Sequence, residues 1–164
     1  MSGGWRAWVA LGANLGQPAA QVRQALEALA ATDGIDIVTV SPFYRTAPLG
    51  LPGQADYCNA VAAIHTQLPP EPLMAALLRI EREAGRIRGG DRWGPRVLDL
   101  DLLHVDGEIR DTDSLRLPHP EAGRRVFVMV PWADIAPELV VPGIGRVGAR
   151  AVELGRDGIA PWAD

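Results

Sequence analysis

Lysine is absent from this 164-residue chain: all sixteen basic residues are arginine. That excludes a Schiff-base lysine and any phosphate loop of the Gly-Lys-Ser type. Phosphate contacts, if the protein makes them, must come from arginine, backbone N–H groups, histidine or a metal ion. Cysteine is nearly absent too. Cys58 stands alone, so there is no internal disulfide and no cysteine metal cluster, which suits a reducing cytosol. No apolar run approaches a membrane span, and no basic region followed by an apolar stretch opens the chain. The formal charge is only −4, which argues against a general nucleic-acid coat or an anionic membrane as the main partner. What is present is 48% hydrophobic residues, enough for a real core at the usual size of one domain. The expectation is one domain over residues 1–164: soluble, cytoplasmic and monomeric, with no nucleic-acid or membrane partner.

Trp5 to Leu11 reads as a strand that ends in Gly12-Ala13-Asn14-Leu15-Gly16. Gln17 to Ala31 is an amphipathic helix, with Val22, Ala25, Leu26 and Leu29 at i, i+3, i+4, i+7, closed by Asp33-Gly34. A second strand starts at Ile35 and ends between Val40 and Arg45; it is rich in β-branched residues. Thr46 to Ala55 has no periodicity and reads as a loop, and Tyr57 to His65 as a third strand. Pro69-Pro70 opens a helix through Ala84. Gly85 to Gly94 is a Gly- and Arg-rich stretch, and Arg96 to Val105 a fourth strand. Asp106-Gly107 signals a hairpin to a short strand. Pro118-His119-Pro120 is a rigid corner, Arg124 to Ala136 a helix interrupted by Pro131, and Ala149 to Leu154 a short helix. The order β-α-β-β-α-β predicts an α+β fold: a ferredoxin-like core with a mainly antiparallel sheet and helices on one face, plus a C-terminal hairpin and helices.

The densest signal is the block Arg92 to Leu103. Asp99 and Asp101 interrupt an apolar run at i, i+2, so a strand presents both carboxylates on one face. They could be a solvated strand face. Flanked by arginines and apolar residues, they instead call for a partner, a hard divalent cation, the nearby arginines or both, since paired carboxylates repel and are costly to desolvate. Mg²⁺ typically takes one or two carboxylates and completes its shell with water and phosphate oxygens. Upstream, Gly85 to Arg96 holds four arginines and four glycines with Trp93 among them. Glycines give hinge freedom and arginines bidentate phosphate contacts, so this stretch reads as a lid over a polyphosphate. The rival reading is an Arg-Gly RNA-binding segment. Gly12 to Gly16 reads as a structural turn rather than an anion site. Tyr57 and Asn59 share a strand face, and the Asn59 amide offers both donor and acceptor to a heterocycle edge. His119, fixed between prolines, suits a phosphate ligand; His65 and His104 have no such setting.

Four blocks in order complete the pattern: Ser41-Pro42-Phe43-Tyr44-Arg45-Thr46-Ala47-Pro48-Leu49-Gly50, Asp56-Tyr57-Cys58-Asn59-Ala60, Arg92-Trp93-Gly94-Pro95-Arg96-x-x-Asp99-Leu100-Asp101, and Pro118-His119-Pro120. Together they resemble the 6-hydroxymethyl-7,8-dihydropterin pyrophosphokinases of the folate pathway. The resemblance implies transfer of the β,γ-pyrophosphoryl group of ATP to the pterin hydroxymethyl oxygen, with release of AMP. It implies that Asp99 and Asp101 hold two Mg²⁺ ions, and that Arg86, Arg92 and Arg96 sit on the polyphosphate, Arg86 and Arg96 with catalytic roles. Arg88, His119, Arg125 and Glu81 would contact ATP. Thr46, Pro48, Leu49, Tyr57 and Asn59 would form the pterin pocket, with Phe127 stacked on the ring and Trp93 covering both substrates. Metal activation of the hydroxyl is expected, Asp101 being the weaker base candidate. Ala13, Ala47 and Gly89 depart from the common pattern, where Ser, Pro and a basic residue are frequent. Two alternatives remain at this stage: a nucleotidyltransferase, which would release free pyrophosphate, and the RNA-binding module.

Overall fold

The computed structural model describes residues 3–47, 56–87 and 98–163, the side chains of residues 86 and 87 excepted. Its centre is β1 (Trp5–Ala13), flanked antiparallel by β4 (Tyr57–Thr66) and β5 (Asp99–Val105). Outside β4 lie β2 (Ile35–Val40) and β3 (Tyr44–Thr46), which pair with successive stretches of it. Between the strands run α1 (Pro18–Ala30) and α2 (Pro70–Ile87). The antiparallel ladder is as expected; the core order is βαβββαβ, one strand more than the expected βαββαβ.

Three expectations are corrected. The second strand is two strands. It breaks at Ser41-Pro42-Phe43, where Pro42 has no N–H to give the ladder. Ser41 keeps the break satisfied: its N–H donates to the Val61 carbonyl at 2.9 Å, and its hydroxyl accepts the Val61 N–H at 3.0 Å. Second, helices cover both faces of the sheet. On β1, Ala7, Val9, Leu11 and Ala13 join one core with α1 and α2, while Trp8 and Ala10 join another. The second core is closed by α3 (Val126–Ile135) and α4 (Val147–Leu154). A strand apolar at both parities must bury both faces, and burial of the oily second face draws these helices down. Third, Asp106-Gly107 does turn the chain, with Gly107 at φ 78°, but no hairpin with β5 follows. Instead β6 (Arg110–Asp111) pairs with β7 (Arg116–Leu117).

The second helix runs three residues beyond Ala84, so Gly85 is helical. Pro131 lies inside α3, where its missing N–H removes the bond to the Phe127 carbonyl one turn back. A small hairpin, β8 (Val140–Val141) with β9 (Gly145–Arg146), precedes α4. Finally β10 (Ile159–Pro161) pairs with β3 and extends the sheet to six strands. No described helix is long and apolar enough to cross a membrane.

Candidate active site

The cavity that gathers the expected residues opens on the α3 face of the sheet, at the end of β1. Its volume is about 240 Å³. Strand alternation builds it. Ala10 and Gly12 of β1 form the floor; Asn59 pairs with Gly12 on one side and Asp99 on the other. Two strand spacings put the Asn59 and Asp99 Cα atoms roughly 10 Å apart, across a residue with no side chain. Asp101, two residues along β5, pairs with Ala10 and lines the same cavity. Arg125, Phe127 and Val128, at the start of α3, form the roof.

One wall is amide and hydroxyl. The Asn59 Nδ2 donates to Thr46 Oγ1 at 2.6 Å, and both residues are buried. That bond orients the amide, with its oxygen toward the Gly12 backbone. A Cβ on Gly12 would stand 2.8 Å from Asn59 Oδ1, so only glycine leaves the amide its place. Tyr57 completes this wall. Burial, then the Asp99 charge, push its phenol up, so the hydroxyl stays protonated as a donor.

The opposite wall is charged. Asp101 faces Arg125 Nη1 at 3.8 Å and His119 Nε2 at 3.9 Å, both loose contacts that leave carboxylate lone pairs for other partners. Arg125 also stands 5.7 Å over the Phe127 ring. Burial pushes His119 below the ordinary imidazole range, outweighing the nearby Asp101 charge, and Arg125 adds to the depression. His119 is therefore neutral at pH 7. Its Nδ1 accepts the Glu121 N–H at 3.1 Å, so Nε2 carries the proton and faces Asp101. The corner bearing His119 is pinned to β5, its N–H donating to the Leu103 carbonyl at 2.8 Å, and the Leu117–Pro118 bond beside it is cis.

Thus Thr46, Tyr57, Asn59, Asp99, Asp101, Arg125 and Phe127 converge on one cavity, with His119 behind Asp101. Glu81 is engaged elsewhere: from α2 it accepts the Leu100 N–H at 2.7 Å, between the two aspartates in the chain. Pro48, Leu49, Arg88, Arg92, Trp93 and Arg96 lie outside the described residues, as does the Arg86 side chain at the end of α2. Gly12 was missed as a cavity residue because it reads as a turn. A glycine inside a strand marks close approach, and that signal was available.

An amide and hydroxyl wall, an aromatic roof and an acidic wall thus enclose one concave cavity, the usual form of a small-molecule site. Residues 8–137 match the family described as 7,8-dihydro-6-hydroxymethylpterin-pyrophosphokinase (HPPK), and the chain belongs to that family. It is 46% identical to the 2-amino-4-hydroxy-6-hydroxymethyldihydropteridine pyrophosphokinase of Haemophilus influenzae over 136 residues, covering 83% of this chain and 84% of that one. To the Bacillus subtilis enzyme of the same name it is 35% identical over 156 residues, 95% of this chain and 89% of that one. Among solved structures it is similar in fold to a Plasmodium falciparum HPPK-DHPS triple mutant crystallised with pteroate, with a TM-score of 0.75 at 10% identity. The match covers 97% of this chain and 47% of that one, so the chain spans about half the length of that solved protein.

Proposed function

We propose that this cavity holds the pterin against the Asn59–Thr46–Tyr57 wall and the ATP phosphates against Asp99 and Asp101. The chain is a 2-amino-4-hydroxy-6-hydroxymethyldihydropteridine diphosphokinase: it transfers pyrophosphate from ATP to hydroxymethyldihydropterin in folate synthesis. The observation that carries the site reading is the row Asn59–Gly12–Asp99, in which a heterocycle-reading amide and a carboxylate face one another across a bare glycine.

The donor set fits Mg²⁺. Both carboxylates lie on one strand face and line the cavity, and Arg125 and His119 engage Asp101 only loosely. Among the described residues no group of three or more His, Cys, Asp or Glu could hold a metal alone. A pair of carboxylates suits an ion completed by phosphate oxygens and water. Asp99 and Asp101 would hold two Mg²⁺ ions, which neutralise phosphate charge and align the displacement.

The chain's own groups do the rest. The amide and Tyr57 hydroxyl fix the ring edge, and Phe127 lies over it, so the hydroxymethyl oxygen points toward the carboxylate wall. Positioning of this kind supplies much of the rate in phosphoryl transfer. Arg125 meets phosphate charge beside Asp101. The Nδ1 of His119 is occupied by the Glu121 N–H, so His119 is no base; metal activation of the pterin hydroxyl is favoured, with Asp101 the weaker candidate for its proton. Arg86, Arg92 and Arg96 are assigned to the polyphosphate, Arg88 to ATP, Trp93 to the cover, and Pro48 and Leu49 to the pterin pocket. The chain acts as one cytoplasmic, monomeric domain.

Incubation with ATP, Mg²⁺ and 6-hydroxymethyl-7,8-dihydropterin, followed by nucleotide separation, tests the reaction. AMP with the pterin diphosphate is expected; ADP as the sole nucleotide product would refute it.

A further inference from the structure

We propose that Arg45 and strand β10 form a clamp that sets the pterin wall, Arg45 and Trp162 being positioning residues for pterin binding. The proposal rests on the assignment of that wall to the pterin. β10 and Trp162 lie beyond residues 8–137, yet they pack on the strand that carries Thr46.

β3 is three residues long, and β4 covers one edge. Alone it would be a short edge strand with an open row of backbone groups. β10 closes the other edge, with Ile159 opposite Thr46, Ala160 opposite Arg45 and Pro161 opposite Tyr44. The Trp162 N–H extends the pairing to the Phe43 carbonyl at 2.9 Å.

Arg45 then ties three pieces together. Its guanidinium lies 4.0 Å over the Trp162 ring, and Nη2 donates to the Ala163 carbonyl at 3.4 Å. Its Nη1 meets Asp56 Oδ2 at 3.6 Å. Asp56 directly precedes Tyr57, and Arg45 directly precedes Thr46, so one side chain bridges the roots of both wall residues. The ion pair is half-exposed and weak by itself; the aromatic face of Trp162 is what holds the guanidinium in place. Thr46 in turn holds the Asn59 amide at 2.6 Å. A shift of β3 therefore passes directly to the group that reads the pterin edge, without touching the carboxylate wall on the far side of β1.

Steady-state kinetics with each substrate varied separately tests the clamp. Trp162→Ala and Arg45→Ala should each raise the pterin KM about five-fold, with kcat and the ATP KM within two-fold of the parent. The double variant should be no worse than the worse single one, because both changes break the same contact. Trp162→Phe, which keeps an aromatic face, and Arg45→Lys, which keeps the charge, should recover most of the loss. Asn59→Ala and Thr46→Val serve as controls on the wall. If they raise the pterin KM while Trp162→Ala and Arg45→Ala do not, the clamp is wrong and the site assignment stands. If none of the four raises it, the site assignment has failed and the clamp with it. Equal rises in both substrates' KM, accompanied by a lower melting temperature, would reduce the clamp to general stability and overturn it.

Discussion

Replacing Gly12 by alanine places a methyl group 2.8 Å from Asn59 Oδ1, and the amide must move. Gly12 has no positive φ, so the backbone accepts a side chain without strain. Alanine is favoured over glycine inside a strand by about 0.5–1 kcal/mol. Against this stands the Asn59–Thr46 hydrogen bond, whose loss costs about 0.5–1.5 kcal/mol. The two nearly cancel, and the melting temperature should stay within about 4 °C of the parent. Binding should not be spared. An amide turned away from the ring edge forfeits a donor and an acceptor, worth about 1–3 kcal/mol, or roughly 5- to 150-fold in pterin affinity. The assay is AMP release at saturating ATP with pterin varied, then the converse. A pterin KM raised at least five-fold, with the ATP KM unchanged, is the expected outcome. A pterin KM within two-fold of the parent would refute the argument that the bare glycine exists to seat the Asn59 amide.

Asp99→Ala and Asp101→Ala should each lower turnover at least about 100-fold with the melting temperature largely kept, and titration with Mg-ATP should show weakened binding; an unchanged rate would sink the metal assignment. Glu81→Ala removes a charged acceptor from the Leu100 N–H and should cost about 1–2 kcal/mol in urea unfolding, whereas Glu81→Gln, which still accepts, should cost less than half of that. His104 is buried and stacked 5.7 Å from the Trp8 ring. Burial holds its imidazole below the ordinary value, against the pull of Asp106, and Arg6 adds to the depression. The unfolded chain therefore takes the proton first: the contribution is complete above about pH 6.5 and is lost as pH falls toward the folded value. His104→Phe should flatten the fall in unfolding midpoint between pH 7.5 and 5; identical slopes would refute the assignment.

Much of the site was legible because its residues lie at strand spacing. Asp99 with Asp101, and Tyr57 with Asn59, declare a shared face by period 2 alone, and His119 is marked by its flanking prolines. Glu81 and Gly12 were harder. Nothing near Glu81 in the chain names Leu100 as its partner, since the contact joins a helix to a strand edge nineteen residues on. Gly12 looked like the start of a turn because its meaning depends on Asn59 lying opposite. The strand β10 was invisible: three residues carry no usable period, and only β3 gives them a reason to be extended.

By itself, then, the sequence determined what local chemistry determines: the order of the longer helices and strands, the apolar parity of the central strand, the exclusion of lysine-based phosphate binding and the block that marks the family. Those properties live in neighbouring residues and survive in an unfolded chain. The tertiary structure alone decided that helices cover both faces of the sheet, that Asn59 faces Asp99 across Gly12, and that Arg45 bridges Asp56 and Trp162. Each of these is a juxtaposition of segments distant in the chain. Their burial free energy exists only once the sheet has assembled, so no local pattern encodes it.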